Sequence, residues 1–331
     1  MQIIESFSEL GNHISQIPAE VKLKAYLHNA WFSVENIEKA LKGIEIYLQK
    51  ENLQKWLAPY QNRLPTQAPK KVAVVMAGNI PLVGFHDFLS VLISGHTLMA
   101  RMSSDDKVLL PYITQKLLEI QPDLDKRLVF VEKVNEADAI IATGSDNTAL
   151  HFEYYFRNKP HLIRKNRVSI AILNGKETRD ELENLGEDIF TYFGLGCRNV
   201  SKIFVPVGYN FELFFQAIEK FAGVRNHHKY FNNYEYNKAV YLLRPVKHLD
   251  NGFLLLSQNE EMASPVACLY YDFYANEEEL KQKLNLQKHK IQCVVSQNAW
   301  WKGSIPFGKA QYPELWDYAD GVNTLDFLLN L

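Results

Sequence analysis

The sequence predicts an α/β protein with two doubly wound parallel-sheet domains behind an N-terminal helical segment. Three observations point there. Residues 1 to about 65 carry apolar side chains at the three-to-four spacing of amphipathic helices, as in EVKLKAYLHNAWFSVENIEKALKGIEIYLQ. After the polar, proline-bearing NRLPTQAPKK, the pattern changes to short β-branched runs such as KVAVVMAG. From there, strand-like runs alternate with helical stretches, which right-handed βαβ crossovers convert into a parallel sheet.

The elements follow in order. KVAVVMAG reads as a buried strand, PLVGFHDFLSVLISG as a helix, HTLMARM as a strand and KVLLPYITQKLLEI as a helix. RLVFVEK, ADAIIATGS and VSIAILN read as further strands, which gives a nucleotide-binding type of domain over residues 66–195 with helices 1–65 packed on it. No GxGxxG fingerprint is present, which excludes the common dinucleotide turn but not dinucleotide binding. A second domain is expected over 196–331: SKIFVPVG as a strand, NFELFFQAIEKFAG as a helix, then AVYLLRP, PVACLYYDFYA and IQCVVSQN as strands. RNHHKYFNNYEYNK lacks periodicity and reads as a loop. The last ~25 residues, loop-like and then helical, are expected to return to the first domain.

Composition narrows the function. The chain has 331 residues, is 47% hydrophobic and 22% charged, and carries a formal charge of −2, so neither nucleic acid nor an anionic membrane is an expected partner. No apolar run is long enough to span a bilayer, and MQIIESFSEL lacks the features of a signal peptide. Cys197, Cys268 and Cys293 are far apart and odd in number, which argues against a disulfide framework and for a reducing, cytoplasmic setting. No metal spacing occurs. His227 and His228 are adjacent without a third ligand, so their segment reads as a surface loop or the border of a substrate entrance.

Cys197 lies in GLGCRN, where Gly194 and Gly196 permit a tight turn and close approach of a substrate to backbone. Cys268 and Cys293 lie inside apolar runs and read as core. Five separated pieces, AGNIPLVGFHDFLSVLISGHTLMARMSS, ATGS, GLGCRN, EEMASPVACLYY and IPFGKAQ, together resemble the aldehyde dehydrogenase superfamily over residues 72 to 310. Within it, GLGCRNVSKIFVP and LWDYADGVNTLDFL are most similar to the LuxC-like acyl-CoA reductases. That resemblance implies an aldehyde-dehydrogenase-like fold with the ligand cleft between its domains. It also implies NAD(P)H-dependent reduction of an acyl-CoA or acyl-carrier thioester to an aldehyde, through an acyl group held on Cys197.

By the same resemblance Asn79 donates to the oxyanion and Glu261 holds the nicotinamide ribose. Thr143, Gly144 and Ser145 face the diphosphate, and Arg101 stands at the adenosine ribose. A guanidinium there suits a 2′-phosphate, so NADP is expected ahead of NAD. Each has a plainer reading: Asn79 as a turn former, Thr143–Ser145 as a helix cap, and Glu261 as a solvated side chain. Hydrolytic relatives carry a water-activating glutamate where this chain has HLIRKNRVSIAIL, which contains no Asp or Glu. The chain is shorter than typical members, which leaves little room for an assembly hairpin and leaves oligomeric state open. Two alternatives stand beside the reductase: a cysteine acyltransferase without hydride transfer, and a non-catalytic binding protein on this fold.

Overall fold

The computed structural model describes residues 2–66, 68–144 and 146–331. Two compact units divide the chain: Met1–Asn166 with Glu314–Leu331, and Arg167–Pro313. The first opens with α1 (Gln2–Ile14), α2 (Ala19–His28), α3 (Val34–Tyr47) and α4 (Lys50–Leu57). Their apolar stripes, among them Phe7, Leu10, Ile37, Leu41 and Leu53, join a core shared with Phe88, Leu92 and Leu117. Ser33 caps α3, its Oγ accepting from the Asn36 N–H.

The sheet of unit 1 contains β1 (Lys71–Val75), β2 (Thr97–Arg101), β3 (Leu128–Phe130), β4 (Ala139–Thr143) and β5 (His161–Arg164). Its order is β3-β2-β1-β4-β5, parallel throughout. The crossovers are α5 (Phe85–Ser94), α6 (Leu109–Ile120) and α7 (Asp146–Phe156). Val72, Ala73 and Val74 are buried on both faces, which explains the unbroken apolar run. The chain steps outward from β1 to β3 and then returns to the other flank of β1 as β4. Open α/β sheets bind ligands beyond the carboxyl ends of the strands at such a reversal.

Unit 2 runs β6 (Val168–Ile172), α8 (Arg179–Phe190), β7 (Val200–Pro206), α9 (Glu212–Ile218), α10 (His228–Leu243), β8 (His248–Asp250) and β9 (Leu255–Gln258). It continues with β10 (Cys268–Tyr274), α11 (Glu277–Gln287), β11 (Ile291–Ser296) and β12 (Ile305–Pro306). The sheet order is β12-β11-β6-β7-β10-β9-β8, with only the β8–β9 pair antiparallel. A capping box between Thr178 and Glu181 starts α8. Leu182, Leu185, Phe214 and Ile218 cover one face of the sheet, and Leu280 and Leu284 of α11 join Ile170, Ile172 and Phe204 on the other.

Residues 314–331 return to unit 1. There α12 (Thr324–Leu329) packs on α5. The buried Arg164 guanidinium pairs with the Asp87 carboxylate and donates to Thr324 Oγ1 at 2.9 Å. His96 Nε2 lies 2.8 Å from the Leu328 carbonyl oxygen, and Trp56 Nε1 donates to Tyr318 Oη at 2.7 Å.

Three expectations need correcting. The units divide at Asn166/Arg167 and not near 195, because β6 pairs with β7 and β11 and with no strand of the first sheet. RNHHKYFNNYEYNK is not a loop, and AVYLL is not a strand: from His228 on both belong to α10, with His227 as its cap and Arg225 and Asn226 ending a short 3-10 helix. Its buried face is Tyr230, Tyr234, Asn237 and Tyr241, which have helical spacing but carry polar atoms that hide the period from a hydropathy reading. The third concerns Cys293, which is only partly buried, unlike Cys268.

Candidate active site

From α8 to β7 the chain turns sharply. Tyr192 and Phe193 adopt left-handed φ of 53° and 56°, and Gly194 follows at 78°. Asn199 organises the turn. Its Nδ2 donates to the carbonyls of Asp188 at 3.1 Å, Ile189 at 3.4 Å and Thr191 at 2.7 Å, satisfying acceptors that the end of α8 leaves open. Its Oδ1 accepts from Gly196 N at 2.8 Å, and its own N–H donates to the Gly196 carbonyl at 3.0 Å. Asn199 is buried and Cys197, at the tip, is exposed.

Distant segments brace this tip. Asp188 accepts from Gly308 N at 2.7 Å and Ala310 N at 2.9 Å, while Arg198 Nε donates to the Ala310 carbonyl at 2.5 Å. The IPFGKA segment is thereby fixed to the cysteine turn. Burial pushes the Asp188 carboxyl up to about 7, against the opposing pull of the two N–H donors and of Arg198. Below the turn, Ser169 Oγ on β6 donates to the Cys197 carbonyl at 3.1 Å and lies 2.9 Å from Cys293 Sγ. His227, which caps α10, stacks on Phe193 with ring centroids 4.3 Å apart.

Glu261 is exposed, on a loop that folds back over the start of β7. Ser201 Oγ donates to the Met262 carbonyl at 2.7 Å, and buried Lys202 donates to the carbonyls of Asn259 at 2.8 Å and Glu260 at 3.0 Å. Desolvation lowers the Lys202 pKa, and Lys283 adds to that while Asp272 opposes it. Lys202 therefore holds the Glu261 loop. Beside it a groove of about 640 Å³ is lined by Lys202, Gln258, Glu260, Met262, Asp272 and Lys283.

In unit 1, Asn79, Arg101, Thr143 and Gly144 gather at the carboxyl edge of the sheet, beyond β1, β2 and β4. Ser145 lies outside the described residues. Backbone approaches closely there: a Cβ on Gly78 would meet Ser103 Oγ at 2.4 Å, and one on Gly144 would meet Thr148 Cγ2 at 2.9 Å. Arg101 is exposed and lines a groove of about 480 Å³ with Glu132, Lys133, Val134, Phe152 and Tyr155. An aromatic wall, a cation and a glycine-bearing strand end fit a nucleotide by their chemistry.

Asp106 pins the Asn79 turn from behind. Its Oδ2 accepts from Leu82 N at 2.7 Å, where Leu82 has a left-handed φ of 57°, and its Oδ1 is buried without a partner. Desolvation raises its pKa from 3.8 to about 6, with the Leu82 N–H and His28 opposing. The folded chain thus holds this proton after the unfolded chain has released it, so Asp106 makes stability fall as pH rises from about 4 to about 6. Asp106→Asn keeps an acceptor for Leu82 without the charge. In urea unfolding across that window the variant's stability should fall less, or rise more, with pH than the parent's, and identical slopes would mean that Asp106 does not contribute there.

A family model described as Acyl-CoA reductase (LuxC) matches residues 5–213, which include Asn79, Arg101, Thr143, Gly144 and Cys197. The chain belongs to the LuxC acyl-CoA reductase family. A comparison with curated proteins finds no match. Among solved structures, this LuxC-family chain is similar to an indole-3-acetaldehyde dehydrogenase of P. syringae in complex with NAD+. The two share 12% identity and a TM-score of 0.67, over 91% of this chain and 72% of that one. An aldehyde dehydrogenase of Bacillus cereus in complex with NAD+ matches at 13% identity and TM-score 0.64, over 89% and 71%. A betaine aldehyde dehydrogenase of Staphylococcus aureus in complex with NAD+ matches at 13% and 0.66, over 93% and 73%. The fold is aldehyde-dehydrogenase-like. No helix among the described residues is long and apolar enough to cross a membrane.

Sequence reasoning missed four groups: Asn199, Asp188 and Ser169 about the cysteine turn, and Asp106 behind the Asn79 turn of this LuxC-family chain. The apolar stripe of α8, Leu182, Leu185 and Ile189, marks a helix, but nothing local shows that Asn199, nine residues past its last turn, folds back onto the carbonyls of that end. Asp188, Asp106 and Ser169 act through partners remote in sequence, and no local pattern signals them.

Proposed function

We propose that this chain reduces an acyl thioester, carried by coenzyme A or a pantetheine-bearing carrier, to the aldehyde with NAD(P)H. The observation that carries the reading is the exposed Cys197 thiol on a turn braced by Asn199 and Asp188. The β6 strand beneath it offers Val168, Ser169, Ile170, Ala171 and Ile172, and none is a carboxylate.

Cys197 Sγ attacks the acyl carbonyl, the new C–S bond forms, and the carrier thiol leaves with a proton. Thiol-for-thiol exchange is nearly isoenergetic, so a cysteine accepts the acyl group reversibly. Asn79 is read as a donor to the oxyanion. A bound reduced nicotinamide would supply the hydride. Glu261 would hold its ribose and Thr143 and Gly144 its diphosphate, while Arg101 would meet the adenosine ribose and favour a 2′-phosphate. Collapse of the thiohemiacetal on Cys197 breaks the C–S bond and releases the aldehyde. With no acid on β6 to activate water, the acyl group outlives hydrolysis.

Intact-protein mass after mixing with a panel of acyl-CoAs tests this. An adduct that NADPH discharges as aldehyde is expected. An adduct that NADPH leaves in place would favour the acyltransferase reading, and no adduct with any donor would remove both. Arg101→Ala should raise KM for NADPH by about ten- to a hundredfold, the worth of a charge-assisted contact, and change KM for NADH little. Equal effects on both cofactors would reject Arg101 as the 2′-phosphate reader.

A further inference from the structure

Cys293 stands in the irregular part of β11. The β6–β11 register shifts between Ile291, opposite Val168, and Val294, opposite Ile170, so Gln292 and Cys293 bulge against Ser169. One hydroxyl then serves two cysteines. Ser169 Oγ lies 2.9 Å from Cys293 Sγ and 3.1 Å from the carbonyl oxygen of Cys197. Cys268 is different: it is buried, and desolvation pushes its thiol up to about 11.

A serine hydroxyl has one proton to donate. While Cys293 is protonated, its S–H donates to Ser169 Oγ and the serine proton goes to the Cys197 carbonyl. When Cys293 ionises, its sulfur becomes the stronger acceptor and the hydroxyl turns to it, releasing that carbonyl. Ionisation of Cys293 therefore removes one of the bonds on the turn that bears Cys197, while those of Asn199 stay.

We infer that Cys293 is a resolving thiol, which closes a reversible disulfide with Cys197 after Cys197 has been oxidised by a peroxide. The Cys197 thiolate takes one oxygen from hydrogen peroxide and becomes a sulfenic acid, the other oxygen leaving as hydroxide, which takes up a proton to become water. The Cys293 thiolate attacks that sulfur, the S–S bond forms, the S–O bond breaks, and hydroxide leaves and is protonated to water. In sum, two thiols lose two electrons to one peroxide, which yields two waters. The exposed sulfur is thereby held in a form that thiols can restore, short of irreversible oxidation.

The test treats the full chain with hydrogen peroxide, blocks remaining thiols with N-ethylmaleimide, and reads intact mass and linked peptides. Apart from any maleimide on Cys268, the expected product has lost about 2 Da, takes up no maleimide at Cys197 or Cys293, links the two, and reverts with dithiothreitol. Cys293→Ser, which keeps a hydrogen-bonding partner for Ser169, and Cys293→Ala should both gain about 32 Da, as the sulfinic acid at Cys197. Sulfinic acid forming in the parent chain as fast as in these variants would overturn the assignment, as would a link through Cys268 or between two chains. No acyl donor enters the assay, so its outcome is separate from that of the reductase reading.

Discussion

Cys197→Ser should lose acyl capture and aldehyde formation together, by at least about a thousandfold. A serine hydroxyl ionises far less readily than a thiol and needs an adjacent base, which β6 does not supply as a carboxylate. The bonds shaping the turn run from Asn199, Asp188 and Ser169 to backbone atoms, so the substitution leaves them in place. Thermal unfolding should accordingly match that of the parent, and the release of carrier thiol in the first turnover should vanish. A serine variant that turns over at the parent rate would move the chemistry elsewhere on the chain.

Asn79→Ala should lower kcat by about a hundred- to a thousandfold, the loss of one donor to an oxyanion, equivalent to about 2.7–4 kcal/mol. Asn79 is exposed, between Gly78, which lies against Ser103, and Leu82, which Asp106 holds. Its backbone is positioned by these neighbours, so the turn should survive truncation of the side chain, which thermal unfolding of the variant checks. The informative split is between kcat and KM. An oxyanion donor acts in the transition state and depresses kcat with KM nearly unchanged. If only the KM for nicotinamide cofactor rises, Asn79 contacts the cofactor and not the oxyanion.

What the sequence disclosed followed the physics of each residue. β1 and β4 were legible because strands buried on both faces are unbroken apolar runs, and α1 and α3 because their apolar residues recur at helical spacing. By contrast, α10 was hidden because tyrosines and an asparagine form its buried face, and its first turn is capped by His227, an unusual capping residue. HLIR hides as a strand because one of its two buried positions is Arg164, whose charge is paired with Asp87 inside the fold. Cys197 stood out through its glycines. The brace around it did not, because Asn199 reaches the end of α8 and Asp188 reaches residues 308 and 310 through contacts that only the folded chain brings together.

The buried triad of Arg164, Asp87 and Thr324, with His96 against Leu328, has a consequence for biosynthesis. Residues 167–313 are contiguous, so the second unit can close as soon as it has left the ribosome. The first unit, although made earlier, waits for residues 314–331 to supply the side of its core that α12 covers. Until then Leu325 and Leu328 are missing from that core, and Asp87 and Arg164 lack the hydroxyl that completes their burial. The half synthesised first is the half finished last.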